Sequence, residues 1–214
     1  MEIKTENVLY LIGGPNGSGK TTLVHQLFGP QPEIAFLNCD NIARDRNLGQ
    51  NGAGIALLRQ MENIFSSHDS FVFETTLSDK FHNRLIRRAH DAGYSIEFFY
   101  VVLSSVEQNL ARVRARFANG GHNVPDHVIL RRHNKSLFNF DTVYKLSDHW
   151  CVYNNSGTEC KLFASGFHDV INVLDNGLYN AFVKYKGRVV ADYLADIEKR
   201  RIAKLRPASC ELSK

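Results

Sequence analysis

Gly14, Gly19, Lys20 and Thr21 stand at the spacing G-x-x-x-x-G-K-[ST], inside the string Gly14-Pro15-Asn16-Gly17-Ser18-Gly19-Lys20-Thr21. The chemistry this spacing serves is the holding of a chain of phosphates. Backbone N–H groups of a glycine-rich turn converge on an anion at a helix N-terminus, where the macrodipole adds partial positive charge. In that arrangement Lys20 reaches the β- and γ-phosphates and the Thr21 hydroxyl binds Mg²⁺. Gly14, Pro15, Asn16, Gly17, Ser18, Gly19 and Thr22 complete the cradle. The flanks agree: Val8 to Ile12 is a short apolar run that reads as a buried parallel strand, and Thr22 to Phe28 reads as a short helix. No guanine-specifying N-K-x-D motif is present, so the nucleotide expected is ATP rather than GTP.

A second set of chemically capable residues falls where predicted strands end, which is where open α/β sheets bind ligands. Asp40 follows the apolar run from Ile34 to Asn38. A carboxylate facing a γ-phosphate can accept the proton of a substrate hydroxyl; the alternative is an N-cap for the turn from Asn41 to Arg44. Glu74 and Thr76 end the run Phe71-Val72-Phe73-Glu74. Glu74 is able to hold a Mg²⁺-bound water, to hydrogen-bond substrate hydroxyls, or to cap a helix starting near Ser78. Arg112, Arg114 and Arg116 directly precede a glycine-bearing segment, Phe117 to Pro125, that contains His122. Arg112 and Arg116 share a helix face. Helix, glycine loop, helix is the pattern of a lid that delivers arginine onto a transferring phosphoryl group; a basic surface helix with a hairpin is the alternative. His122 is either a phosphate or substrate contact or a surface residue.

The elements that must position these groups alternate between strand and helix along the chain. This predicts an α/β P-loop NTPase fold: a central, mostly parallel five-stranded sheet with helices on both faces, nucleotide-kinase-like, with a lid and C-terminal helices. The expected strands lie at 8–12, 34–38, 71–74, 95–103 and 150–154, with Lys161 to Ala164 as a further segment able to pair beside the fifth. The kinase core is expected over residues 1–165 with its lid at about 112–125. Residues 166–214 form a C-terminal helical extension on or beside it, read as two helices broken near Gly187.

Composition narrows the class. At 214 residues and 43% hydrophobic the chain can bury one sizeable core. Its apolar runs fall far short of the roughly 18 to 20 residues of a membrane span, and Met1 to Asn7 lacks the apolar stretch of a signal peptide. Cys39, Cys151, Cys160 and Cys210 are scattered without a C-x-x-C pair, which argues for a reducing, cytoplasmic setting and against a zinc site or disulfide framework. The net charge of +4 gathers in clusters around residues 84–88, 112–116, 131–135 and 199–206. These lack interleaved aromatics or a recognised binding motif, which argues against direct nucleic-acid recognition.

The ordered set Gly13 to Thr21, Asn38-Cys39-Asp40, Phe73 to Leu77, Gly120 to Pro125 and Tyr153 to Gly157 resembles the zeta toxin family. More narrowly it is similar to short zeta-toxin-like P-loop kinases. The resemblance covers residues 8–165 in order and spacing. It implies transfer of phosphate from ATP to a hydroxyl of UDP-N-acetylglucosamine by a toxin restrained by a small antitoxin protein. On that reading Lys20 binds phosphate, Thr21 ligates Mg²⁺, Asp40 is the general base, Glu74 and Thr76 grip the sugar nucleotide, and Arg112 or Arg116 is the first lid arginine. Where the better-known toxins carry a second lid arginine, this chain has His122. Either Arg131 or Arg132 supplies that phosphate contact or the lid chemistry differs. Outside this family, a P-loop ATPase switch and a kinase acting on a nucleoside or nucleic-acid end are the alternatives; the first needs neither an acceptor base nor lid arginines.

Overall fold

The computed structural model describes residues 7–30, 33–121, 124–168 and 170–205. Its first strand, β1 (Val8–Gly13), runs into α1 (Lys20–Phe28), and β2 (Ala35–Leu37) is followed by α2 (Cys39–Asp45) and α3 (Gln50–Ser67). Then come β3 (Phe71–Thr75), α4 (Phe81–Asp91), β4 (Ser95–Val102), α5 (Val106–Ala118) and α6 (Asp126–Leu146). The chain ends with β5 (His149–Asn154), β6 (Lys161–Phe167), β7 (Val170–Val173) and α7 (Asn176–Leu205). One sheet holds all seven strands in the order β2-β3-β1-β4-β5-β6-β7. The first five are parallel, and β6 and β7 add antiparallel at one edge.

The α/β P-loop architecture and its parallel five-stranded centre match the expectation; the sheet has seven strands rather than five. The added strands follow from local chemistry. Lys161 to Phe167 pairs antiparallel with β5 across a short turn, as two adjacent strands joined by few residues do. Val170–Val173 carries the β-branched residues that favour a strand and pairs with β6. The two helices expected across 169–205 are therefore one strand and one 30-residue helix that passes through Gly187 without a break. A mid-helix glycine costs about 1 kcal/mol relative to alanine. The packing of Leu178, Tyr179, Phe182, Tyr185, Val189 and Val190 against the core outweighs it.

Strand β1 shows how the core is shared. Leu9 and Leu11 join the large cluster that reaches α3, α4, α6 and α7, while Tyr10 and Ile12 meet Val24 of α1 and Val72 on the opposite face. Alternation along a doubly covered strand places helices on both sides of the parallel strands and leaves their carboxyl ends open. No described helix is long and apolar enough to cross a membrane.

Candidate active site

The turn between β1 and α1 is clamped from two sides. Gly17 lies at φ +76°, and a Cβ there would stand 2.8 Å from the Asn109 carbonyl oxygen; at Gly19, φ +97°, it would stand 2.1 Å from Asn155 Nδ2. The close approach permits hydrogen bonds to the turn's own carbonyls. Asn109 Nδ2 of α5 donates to Asn16 O at 2.7 Å, and Asn155 Nδ2, just past β5, donates to Ser18 O at 2.8 Å. With those carbonyls held outward, the turn's N–H groups other than that of Ser18, which donates to Pro15 O at 3.3 Å, are left for an anion. Asn16 Oδ1 and Ser18 Oγ are buried without a protein partner among the described residues. A hydroxyl donor in that state fits a phosphate oxygen.

Lys20 begins α1 and is buried, with Nζ donating to Pro15 O at 3.1 Å and lying 3.9 Å from Glu74 Oε1. Burial pushes its pKa below the usual lysine range. The Glu74 and Asp40 carboxylates oppose that shift, and Arg116 and Arg132 add to it. All four charged side chains line the same cleft as Lys20. Thr21 donates its hydroxyl to Glu74 Oε2 at 2.7 Å. The alternative of Glu74 as a cap for the following helix is not the arrangement found: the Phe81 N–H is accepted by Asp79 Oδ1 at 2.8 Å. Thr21 and Glu74 together fit a Mg²⁺ site of the kind that borrows phosphate oxygens and water for its remaining ligands.

Asp40 lies in the first turn of α2 and is exposed. Its capping alternative is taken by Asn38, whose Oδ1 accepts from Asp40 N at 2.8 Å and from Asn41 N at 3.1 Å. The carboxylate of Asp40 is thereby left for the cleft it lines, a cavity of about 610 Å³ that runs from Lys20 past Asp40 and Glu74 to Thr76, Ser78 and Asp79. The last three ride on a tightly held corner. Leu77 is fully buried at φ +53°, its N–H donates to Thr75 Oγ1 at 3.1 Å, and its carbonyl accepts from Asn139 Nδ2 at 2.6 Å. Residues in the left-handed region persist where surrounding contacts over-determine them. Here the buried Leu77 turns Thr76 and Ser78 outward, their hydroxyls 2.8 Å apart.

The two arginines of α5 separate. Arg116 lines the cleft, whereas the Arg112 Nη2 donates to the Asn155 carbonyl at 2.7 Å and braces the residue that grips Ser18. Arg132 of α6 lines the cleft as well, while Arg131 is exposed and is not among the residues that line it. Arg114 pairs with Asp126, tying the end of α5 to the start of α6. His122 lies outside the described residues. Sequence reasoning passed over Asn109, Ser78 and Asp79 and gave Asn155 no role. Their partners are far away in sequence or set by a single corner, so no local pattern marks them. The far wall was also unmarked: α3 presents Ile55 and Leu58 to the cleft, both exposed.

Comparison with known proteins gives the chain a family and a fold. Residues 9–138 match the model of a family described as an AAA domain. Over 125 residues the chain is 30% identical to an uncharacterised protein of Haemophilus influenzae, covering 56% of this chain and 88% of that protein. A chain of the AvrRxo1-ORF1:-ORF2 complex crystallised with ATP superposes with a TM-score of 0.67 at 16% identity, over 84% of this chain and 64% of that one. A chain of the PezAT chromosomal toxin–antitoxin system of Streptococcus pneumoniae gives 0.52 at 13% identity, over 87% of both. The Pnkp1/Rnl/Hen1 RNA repair complex gives 0.52 at 17% identity, over 64% of this chain and 46% of that one. The chain thus spans just under two thirds of the AvrRxo1 chain, and at these identities the likeness is one of fold, a P-loop kinase-like fold. The family match, which covers well over half of the sequence and takes in the phosphate turn, Asp40, Glu74 and both cleft arginines, shows that the chain belongs to the AAA domain family.

Proposed function

We propose that this protein is an ATP-dependent phosphotransferase acting on a hydroxyl of a small, sugar-like acceptor. The observation that carries the reading is the opposition, across one cleft, of a phosphate turn with a buried lysine and a capped helix turn that leaves the Asp40 carboxylate unengaged. The turn N–H groups, Lys20 and the Ser18 hydroxyl hold the triphosphate. Thr21 and Glu74 would hold Mg²⁺, which would supply charge neutralisation to the triphosphate. Asp40 accepts the proton as the acceptor oxygen bonds to the γ-phosphorus and the bond from that phosphorus to the bridging oxygen breaks, releasing ADP. Arg116 and Arg132 stabilise the charge on the transferring group. Thr76 and Ser78 orient the acceptor, and Arg112 keeps the turn in shape through Asn155.

The sequence resemblance names the amino-sugar ring of UDP-N-acetylglucosamine as the group offered to Asp40, and a small antitoxin as partner. The fold likeness to a protein of a toxin–antitoxin system supports looking for one. The test is ³¹P NMR and mass spectrometry of Mg²⁺-ATP incubated with the protein and a panel of sugars, nucleotide sugars, nucleosides and oligonucleotides. A phosphorylated sugar product supports the proposal. Hydrolysis of ATP at the same rate with and without every acceptor favours a nucleotide switch and overturns it; a phosphorylated nucleoside or oligonucleotide end replaces the acceptor.

A further inference from the structure

The acceptor half of the cleft has two unlike walls. One carries Asp40, Thr76, Ser78 and Asp79, all polar and two of them acidic. The other is α3, where Ile55 and Leu58 are three positions apart and so share a face, 55% and 48% exposed. On the same helix Gly54 also lines the cleft and leaves bare backbone: a Cβ there would meet nothing within 4 Å. Apolar side chains left open on a cleft wall next to polar ones mark a ligand site in which the apolar groups supply burial and the polar groups fix orientation.

The described cations of the cleft gather around Lys20. Lys20, Arg116 and Arg132 are the basic residues among its described lining, and the two arginines act electrostatically on Lys20. The triphosphate takes up all three. Arg84 is within electrostatic reach of Asp79 but is exposed and does not line the cleft. An acceptor bearing its own diphosphate would set those charges between Asp79 and the apolar α3 wall, where no cation among the described lining residues is left to answer them. Anions removed from water without a partner are strongly disfavoured.

We propose that the acceptor is a phosphate-free hydroxyl compound with an apolar flank, of the size of a simple glycoside, its hydroxyls on Thr76, Ser78 and Asp40 and its apolar flank on Ile55 and Leu58. This rests on the kinase reading above and narrows it: the sugar ring is kept, and the nucleoside diphosphate is replaced by an uncharged aglycone.

Three ligands that share one ring separate the possibilities: N-acetylglucosamine, its p-nitrophenyl glycoside, and UDP-N-acetylglucosamine. Binding of each to protein loaded with Mg²⁺ and a non-hydrolysable ATP analogue is measured by calorimetry. The aryl glycoside is expected to bind at least tenfold more tightly than either of the others. In Ile55→Asp its advantage over the bare sugar should shrink to about twofold, and Asp79→Asn should narrow the gap to UDP-N-acetylglucosamine. Equal or tighter binding of the UDP-sugar overturns the proposal, and so does the failure of all three to bind. If the aryl glycoside binds as expected but no ligand is phosphorylated when ATP replaces the analogue, the kinase reading falls and the assignment of the cleft wall stands.

Discussion

Thr21 donates its hydroxyl to Glu74 Oε2 at 2.7 Å, joining the first turn of α1 to the end of β3 across 53 positions of sequence. The same carboxylate has its other oxygen 3.9 Å from Lys20 Nζ. One acidic side chain thus touches both the hydroxyl and the ammonium that a Mg²⁺-triphosphate would engage, although by resemblance alone it belongs to the acceptor. Under the kinase proposal, a group that close to Thr21 would serve the Mg²⁺ site first and the acceptor through it.

Glu74→Gln separates those roles. The amide keeps the shape and can still accept from Thr21, but it removes the negative charge. If Glu74 serves the metal, kcat should fall at least tenfold and the Mg²⁺ concentration for half-maximal turnover should rise, with the KM for acceptor little changed. A Mg²⁺ titration of turnover checks this; a KM increase at constant Mg²⁺ dependence would return Glu74 to the acceptor.

Asp40 has a plainer expectation. Asn38 already caps α2, so Asp40→Asn removes no capping bond and the helix should persist. Loss of a general base costs roughly 10²- to 10⁴-fold in turnover. ATP binding, measured by calorimetry beside the rate, should stay within about threefold of the parent. Turnover that stays near the parent value would remove Asp40 from proton transfer.

Arg112 and Arg116 lie one turn apart on the same helix face, and their contacts predict opposite phenotypes. Arg116→Ala should lower kcat at least tenfold with ATP affinity little changed, because a lid arginine acts on the transition state. Arg112→Ala leaves the half-buried Asn155 carbonyl unanswered and should cost about 1.5 to 3 kcal/mol of stability, the range for hydrogen bonds to charged groups. Its signature is a lower denaturation midpoint together with weaker ATP binding, since Asn155 then holds Ser18 less firmly. Denaturant melts and ATP titrations of the two variants, run side by side, decide between the assignments.

The sequence made some of this legible and hid the rest for definable reasons. The phosphate turn, Asp40 and Glu74 are visible because each lies at the end of a predicted strand, where topology alone converts position into proximity. The i, i+4 spacing could place Arg112 and Arg116 on one face but not tell which reaches the cleft. That depends on Asn155, which approaches from β5 and has no local signal. Gly187 marked a break that tertiary packing overrode. Asp79 and Ser78 became site residues only because Leu77 turns the backbone through φ +53° into the core, a corner that no periodicity announces.

The burial of Lys20 gives ATP binding a pH dependence of known sign. In the nucleotide-free protein, burial lowers the Lys20 pKa, so the ammonium is lost at a lower pH than for an exposed lysine. A bound triphosphate favours the charged form and raises the pKa again. Binding therefore takes up protons in the window between the two values, and affinity is greatest below the nucleotide-free pKa and falls as pH rises through it, by up to tenfold per pH unit. Titrations between pH 7.5 and 10.5, above the range where ATP itself gains protons, should show this fall, with proton uptake visible as a dependence of the binding enthalpy on the buffer. Lys20→Met should bind weakly with a flat profile over the same range. A parent profile as flat as that of Lys20→Met would mean that the lysine keeps its proton throughout, and that the carboxylates of Glu74 and Asp40 outweigh its burial.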